Sequence, residues 1–137
     1  MRKNLLNNKK GFTLAELLIV VAIIAILVAI SIPVFAGKLE SARESTDKAN
    51  ERAAKAAALN VYLEEQSEGT WYYDAENGKL VKDTTTITTA YGKSSKYPSG
   101  APAVGKIIKI NVNDAGEVEI TWVSKDSSAL TTPTPTP

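Results

Sequence analysis

The chain of 137 residues carries 16 Lys plus Arg against 15 Asp plus Glu, with no Cys and no His, a length that suits one small domain. A formal net charge of +1 excludes the strongly basic footprint of a typical nucleic-acid binder, and the missing residue types exclude disulfides, thiolate nucleophiles, imidazole bases and the usual zinc sites. The apolar residues, 44% of the total, are concentrated near one end, and that asymmetry carries the information.

Residues 1–11, MRKNLLNNKKG, contain Arg2, Lys3, Lys9 and Lys10 and no acid. Removing those four cations from 16 leaves 12 against 15 acids, so the rest of the chain is formally −3. Four cations before an apolar run, against Lys38 and Arg43 just after it, predict an N-terminus held in the cytoplasm and export of the chain beyond the run.

From Phe12 to Phe35 the sequence is apolar almost throughout, interrupted by Thr13, Glu16, Ser31 and Pro33. As a helix it extends about 36 Å, enough to cross a hydrocarbon core of about 30 Å. From hydropathy alone it reads as an uncleaved signal anchor carrying an extracytoplasmic domain, because no A-x-A-like exit follows the apolar run. Glu16 complicates that reading. A carboxylate in a spanning segment costs about 2.5 to 3.5 kcal/mol at the helix centre and calls for a partner, and the segment is expected to supply none. Cleavage after Gly11 would create one, since the new α-amine of Phe12 is largely cationic at neutral pH. Two opposite charges about 4 Å apart attract by about 4 kcal/mol at an effective dielectric near 20, comparable with the burial penalty.

The run KKGFTLAELLIVVAIIAILVAISIP resembles the class III signal and N-terminal helix of type IV pilins and pseudopilins. The resemblance spans the leader and the whole apolar helix. It implies cleavage by a prepilin peptidase between Gly11 and Phe12, N-methylation of Phe12, and pairing of Glu16 with the Phe12 amine of a neighbouring subunit. It also implies a platform protein, assembly ATPases and sibling pilins as partners. Pro33 removes a helical hydrogen bond and is expected to kink the helix around residues 29–31. Two departures stand out: Ala25 lies where many major pilins have Gly, and the C-terminal disulfide loop common in the family cannot form without Cys. The first leans towards pseudopilin behaviour, the second towards a monoderm source.

Residues 36–66 continue as an amphipathic helix. Leu39, Ala42, Thr46, Ala49, Ala53, Ala56 and Leu63 recur at three-and-four spacing and define the expected inward face. Glu44 with Lys48 and Glu51 with Lys55 form i, i+4 pairs on the other side. The acids Glu40, Glu44, Asp47 and Glu51 are thus expected on a solvated or subunit-facing surface. Gly69 is the expected helix stop.

Residues 67–126 have strand chemistry. Thr70–Tyr73 and Lys79–Lys82 flank the turn signal Glu76-Asn77-Gly78. Tyr72 and Tyr73 point to opposite faces, so one of the two is expected in the core, packed on the Ala-rich helix. The run 84–102 reads as loop with at most short strands. Residues 106–112 and 118–122 alternate around Asn113-Asp114-Ala115-Gly116 and form the strongest hairpin in the chain. Ile108, Ile110, Val112, Val118, Ile120 and Trp122 share its buried face. Asp114, Glu117 and Glu119 lack the carboxylate density of a calcium loop. Residues 127–137, SSALTTPTPTP, read as a Thr/Pro-rich extended tail, disordered in the monomer.

The expected fold class is α+β: a long N-terminal helix, apolar in its first half and amphipathic in its second, packed on a small antiparallel sheet. The expected function is that of a structural subunit, stored in the cytoplasmic membrane as a single-pass protein and polymerised through its N-terminal helix into an extracellular filament. No catalytic residue, cofactor or metal is expected. A nucleic-acid partner enters only through a DNA-uptake role of the filament. The alternatives are a pseudopilin of type II secretion or competence machinery and, from another class, a monomeric signal-anchored surface protein binding a ligand through its Tyr and Trp residues.

Overall fold

A computed structural model describes residues 11–126; the expectations for the leader before Gly11 and for the tail from Ser127 onward lie outside them. One helix, α1, runs over Leu14–Glu65, and four strands come after it: β1 (Gly69–Asp74), β2 (Lys79–Val81), β3 (Lys106–Val112) and β4 (Val118–Ser124). The chain divides into two compact units, one up to Gly37 and one from Lys38 onward.

In the first unit α1 opens at Leu14 and continues through Pro33. The Ser31 hydroxyl donates to the Leu27 carbonyl at 2.6 Å, the back-bonding to residue i−4 that places a polar side chain in an apolar helix without an unmet donor. The large apolar side chains from Leu14 to Phe35 remain 49% to 76% exposed, the limits being Val28 and Leu14.

In the second unit the strands form one antiparallel sheet ordered β2-β1-β3-β4. Alternation in β3 and β4 produces this register: Ile108 lies opposite Trp122, Ile110 opposite Ile120 and Val112 opposite Val118, while Trp71 on β1 meets Ile110 from the other side. Ala54 and Ala58 of the helix close the core over Trp71, Tyr73, Ile108, Ile110, Val112 and Trp122. Tyr91 fills the middle, edge-on to both Tyr73 (6.3 Å) and Trp122 (5.8 Å); its hydroxyl donates to the Tyr73 carbonyl and accepts from the Ile108 N–H, both at 2.8 Å. The α+β expectation therefore holds, as does the hairpin face.

Both short turns are built by their first side chain. Asp74 accepts from the Glu76 and Asn77 N–H groups and from the Asn77 amide at 2.7 Å. Those bonds, the Asn77 side chain first, hold its carboxyl below the usual range against an opposing desolvation. Asn113 accepts from the Ala115 and Glu117 N–H groups, and Tyr62 near the end of α1 donates to the Asp114 carbonyl at 2.9 Å. Gly116 is required there twice: its φ is +76°, and a Cβ would lie 2.7 Å from the Tyr62 ring.

Three expectations about this unit need correction. The predicted inward face of α1, Leu39, Ala42, Thr46, Ala49, Ala53, Ala56 and Leu63, is exposed throughout. The buried stripe carries Asp47, Ala54 and Ala58, with Glu40, Glu44, Glu51 and Val61 half-buried along it. Both sets obey helical spacing, and the acids win the inward side because the 84–105 connection brings N–H donors to them. Second, the helix ends by turning at Gln66, whose φ is +47° and whose N–H donates to the Tyr62 carbonyl at 2.8 Å; Gly69 is the first residue of β1. Third, Tyr72 and Tyr73 do face opposite ways, yet both are buried. Tyr72 packs with Ile87 and Ile107 in a second small cluster, because the same connection roofs the far side of the sheet.

Candidate processing and assembly site

The site begins where regular structure begins. Gly11 and Phe12 precede the helix in exposed, non-regular backbone, Phe12 is 89% exposed, and a Cβ placed on Gly11 meets nothing within 4 Å. The Gly11-Phe12 peptide bond thus lies in exposed backbone, with no side chain on its glycine side.

Thr13 and Glu16 then close the helix start. The Thr13 hydroxyl accepts from the Glu16 N–H at 3.2 Å, and the Glu16 carboxylate accepts from the Thr13 N–H at 3.0 Å. This is a capping box, which satisfies two of the four N–H groups that a helix start leaves unpaired. The expectation that Glu16 has no partner within its own segment is thus corrected. The signal was in the sequence, since Thr-x-x-Glu before an apolar run is the pattern of that cap. A carboxylate in the first turn also meets the positive end of the helix dipole. The N–H that Glu16 accepts belongs to Thr13, the residue next to Phe12.

Behind the cap, Leu14–Phe35 presents apolar side chains in all directions with none buried. An all-round apolar helix is characteristic of a membrane span or of the centre of an assembly. It is long and apolar enough to cross a bilayer. Pro33 lies inside it near its far end, so Gly11, Phe12, Glu16 and Pro33 all belong to one segment.

A family model described as the prokaryotic N-terminal methylation motif matches residues 6–32. The chain is 32% identical to the type IV major alpha-pilin of Moraxella bovis, over 88% of this chain and 72% of that protein. It is 31% identical to the type IV major fimbrial protein FimA of Dichelobacter nodosus, over 73% and 69%. The chain belongs to the type IV pilin family. The pilin also matches the fimbrial protein EcpC of Eikenella corrodens at 28% identity, over 94% of this chain and 97% of that one. No solved structure matches it significantly.

Sequence reasoning missed a second group of polar residues in this pilin, on the inward stripe of α1. Asp47, fully buried, accepts from the Lys93 N–H at 3.0 Å to each oxygen and from the Ser94 N–H at 2.6 Å. Glu40 accepts from the Ser94 hydroxyl and the Ser95 N–H, both at 2.7 Å, and from the Lys96 N–H at 3.1 Å. Glu51 accepts from the Tyr97 hydroxyl and the Trp122 indole N–H, both at 2.7 Å. The donors are mostly backbone N–H groups of a loop, which no residue pattern announces. The same folding buries Trp71, Tyr72, Tyr73 and Trp122, which leaves no open Trp-Tyr-Tyr shelf for a stacked ligand.

Proposed function

We propose that this chain is a pilus subunit made as a prepilin, cut after Gly11, methylated on the new Phe12 amine, and held in the cytoplasmic membrane by residues 12–35 with its N-terminus inside. Residues 36–66 and 67–126 then form the exported domain. ATPases and a platform protein extract the helix from lipid, and packing of apolar helices between identical or sibling subunits replaces the lipid contacts. The observation that carries this reading is the unburied apolar run Leu14–Phe35, placed directly behind an open Gly11-Phe12 junction. Its relatives carry names of major pilins and fimbrial proteins. The role is structural: the chain is a substrate of processing enzymes, with no catalytic step of its own and no cofactor.

In the filament Glu16 pairs with the Phe12 amine of a neighbour. The capping box supports a handover, because the carboxylate already holds the Thr13 N–H and can exchange that neutral donor for a stronger cationic one. Glu16→Ala should insert and be processed normally, having lost a membrane-buried charge, but should yield few sheared filaments. Glu16→Gln keeps the shape and loses the charge, and should be intermediate. Equal filament yields from wild type and both variants, at equal membrane levels, would remove Glu16 from assembly. Ala25 within an unbroken helix favours a second reading, a pseudopilin that forms only short assemblies. Absence of sheared polymer from wild-type cells that secrete normally would select it.

A further inference from the structure

We propose that the lobe containing Lys93–Tyr97 is an acid-released strap, latched at neutral pH by hydrogen bonds to Asp47 and Glu40 and freed on protonation of Glu40 while the four-stranded sheet stays folded. The proposal is independent of filament assembly and concerns the second unit alone.

The geometry is that of a latch. Glu40 and Asp47 are seven residues apart on α1, two helical turns and about 10.5 Å along one stripe. Successive N–H groups of the strap reach down to them: Lys93 and Ser94 to Asp47, Ser95 and Lys96 to Glu40. Ser94 is the keystone. It is fully buried, its hydroxyl donates to Glu40, and the same oxygen accepts from the Lys96 and Tyr97 N–H groups. The lobe is closed on itself by the Ala103 N–H to the Tyr97 carbonyl and the Val104 N–H to the Ser94 carbonyl, so it moves as one piece between Gly92 and Gly105. Ala103, fully buried in the main core, leaves with it and uncovers Trp122.

The charges around the latch make Glu40 its weak point. On the helix, Arg43 approaches the second Glu40 oxygen at 3.7 Å with its side chain half exposed. Glu44 is taken by Lys48 at 2.6 Å, and Lys48 lies 5.0 Å from the Tyr97 ring centre. The Lys93 and Lys96 residues of the strap are exposed and contribute backbone N–H groups. Glu51 holds Tyr97, and that bond pushes the phenol up to about 12, so Tyr97 remains a donor at every relevant pH. Tyr91, whose surroundings include Asp47, Tyr73 and Asp74, is raised by burial and also stays protonated. No cation is paired with Asp47 among the described ion pairs; its charge is held by N–H dipoles. Bonds from N–H to carboxylate are about twice as strong as neutral ones, and protonation removes that advantage.

Acid therefore loosens the latch. The Ser94 hydroxyl first, then the Ser95 and Lys96 N–H groups, hold the Glu40 carboxyl down to about 2 from an ordinary 4.5. A carboxyl lowered in the folded state contributes its stability above the ordinary value and loses it as the pH falls towards the lowered one. The ladders β1·β3 and β3·β4 contain backbone groups that do not titrate, so the strap opens first.

The test is amide hydrogen exchange of the full chain in detergent micelles, read at Ser95 and Lys96 of the strap and at Ile108 and Ile110 of β3. Between pH 7 and pH 3, corrected for intrinsic rates, protection at the strap amides should fall by about tenfold or more, in keeping with loss of a charge-assisted bond, while β3 protection holds. Asp47→Asn should open the strap at pH 7. Should that buried substitution prevent folding, Glu40→Gln, at a more accessible position, should raise exchange of Ser95 and Lys96 at pH 7 by about tenfold with β3 unchanged. Strap and β3 amides losing protection at one common pH, strap protection unaltered down to pH 3, or Glu40→Gln exchanging like wild type would each overturn the proposal.

Discussion

The two halves of α1 share one backbone and put their side chains to opposite uses. Residues 14–35 bury none of their large apolar side chains, so that half is long and apolar enough to cross a bilayer and finds no cover in the single chain. Residues 38–65 turn inward a stripe of acids followed by alanines, Asp47, Ala54 and Ala58 buried and Glu40 and Glu51 half-buried, so that half is written for its own domain. The lesson is that apolar content does not mark the intramolecular core here. The most apolar segment contributes nothing to it, and a carboxylate sits at its edge fully buried.

That contrast predicts where mutations register. Ile110→Ala, at a fully buried position between β1 and β4, should lower domain stability by about 2 to 5 kcal/mol, whereas Leu18→Ala in the apolar half should leave the domain's thermal transition where it is. Equal losses from both, measured by calorimetry in micelles, would show that the halves are energetically one.

Gly92→Ala is the next largest. A Cβ at Gly92 falls 1.9 Å from the Ala103 carbonyl oxygen and 3.0 Å from the Trp122 ring. Backbone cannot yield as a side chain can, so a loss of about 1 to 3 kcal/mol or more is expected. The check is a denaturant midpoint, and a midpoint equal to wild type would refute the close approach.

Such packing is only partly legible in the sequence. The Ile108–Val112 alternation and the Asn113–Gly116 turn define β3 and β4 outright, because a period of two fixes which side chains face inward. The Gly11-Phe12-Glu16 spacing is equally local, and so is the Thr13 cap. The inward stripe of α1 is not legible. Leu39 to Leu63 and Glu40 to Val61 both satisfy helical spacing, and the choice between them is made by loop N–H groups 46 to 56 residues away in sequence. The burial of Tyr72 escapes sequence reasoning for the same reason, its cover being supplied by Ile87 in that distant connection.

Asp74→Ala strips three acceptor bonds from the β1–β2 turn and should reduce stability by about 1 to 3 kcal/mol at neutral pH. Because its carboxyl is held below the ordinary value of 3.8, the wild-type advantage should shrink as pH falls below that value. A difference between wild type and variant that stays constant from pH 7 to pH 3 would contradict the assignment. Smallest is Thr13→Ala, which removes a helix cap worth about 0.5 to 2 kcal/mol. Its effect should be confined to fraying of the first turn, seen as faster exchange of the Glu16 amide with the sheet unaffected.

The central claim is that residues 12–35 become a filament helix headed by a processed Phe12. Intact-mass and N-terminal peptide analysis of filaments sheared from cells tests it most directly. The expected result is a subunit beginning at N-methylated Phe12 with Glu16 four residues on. Sheared material whose subunits retain Met1, or begin at any residue other than Phe12, would contradict it.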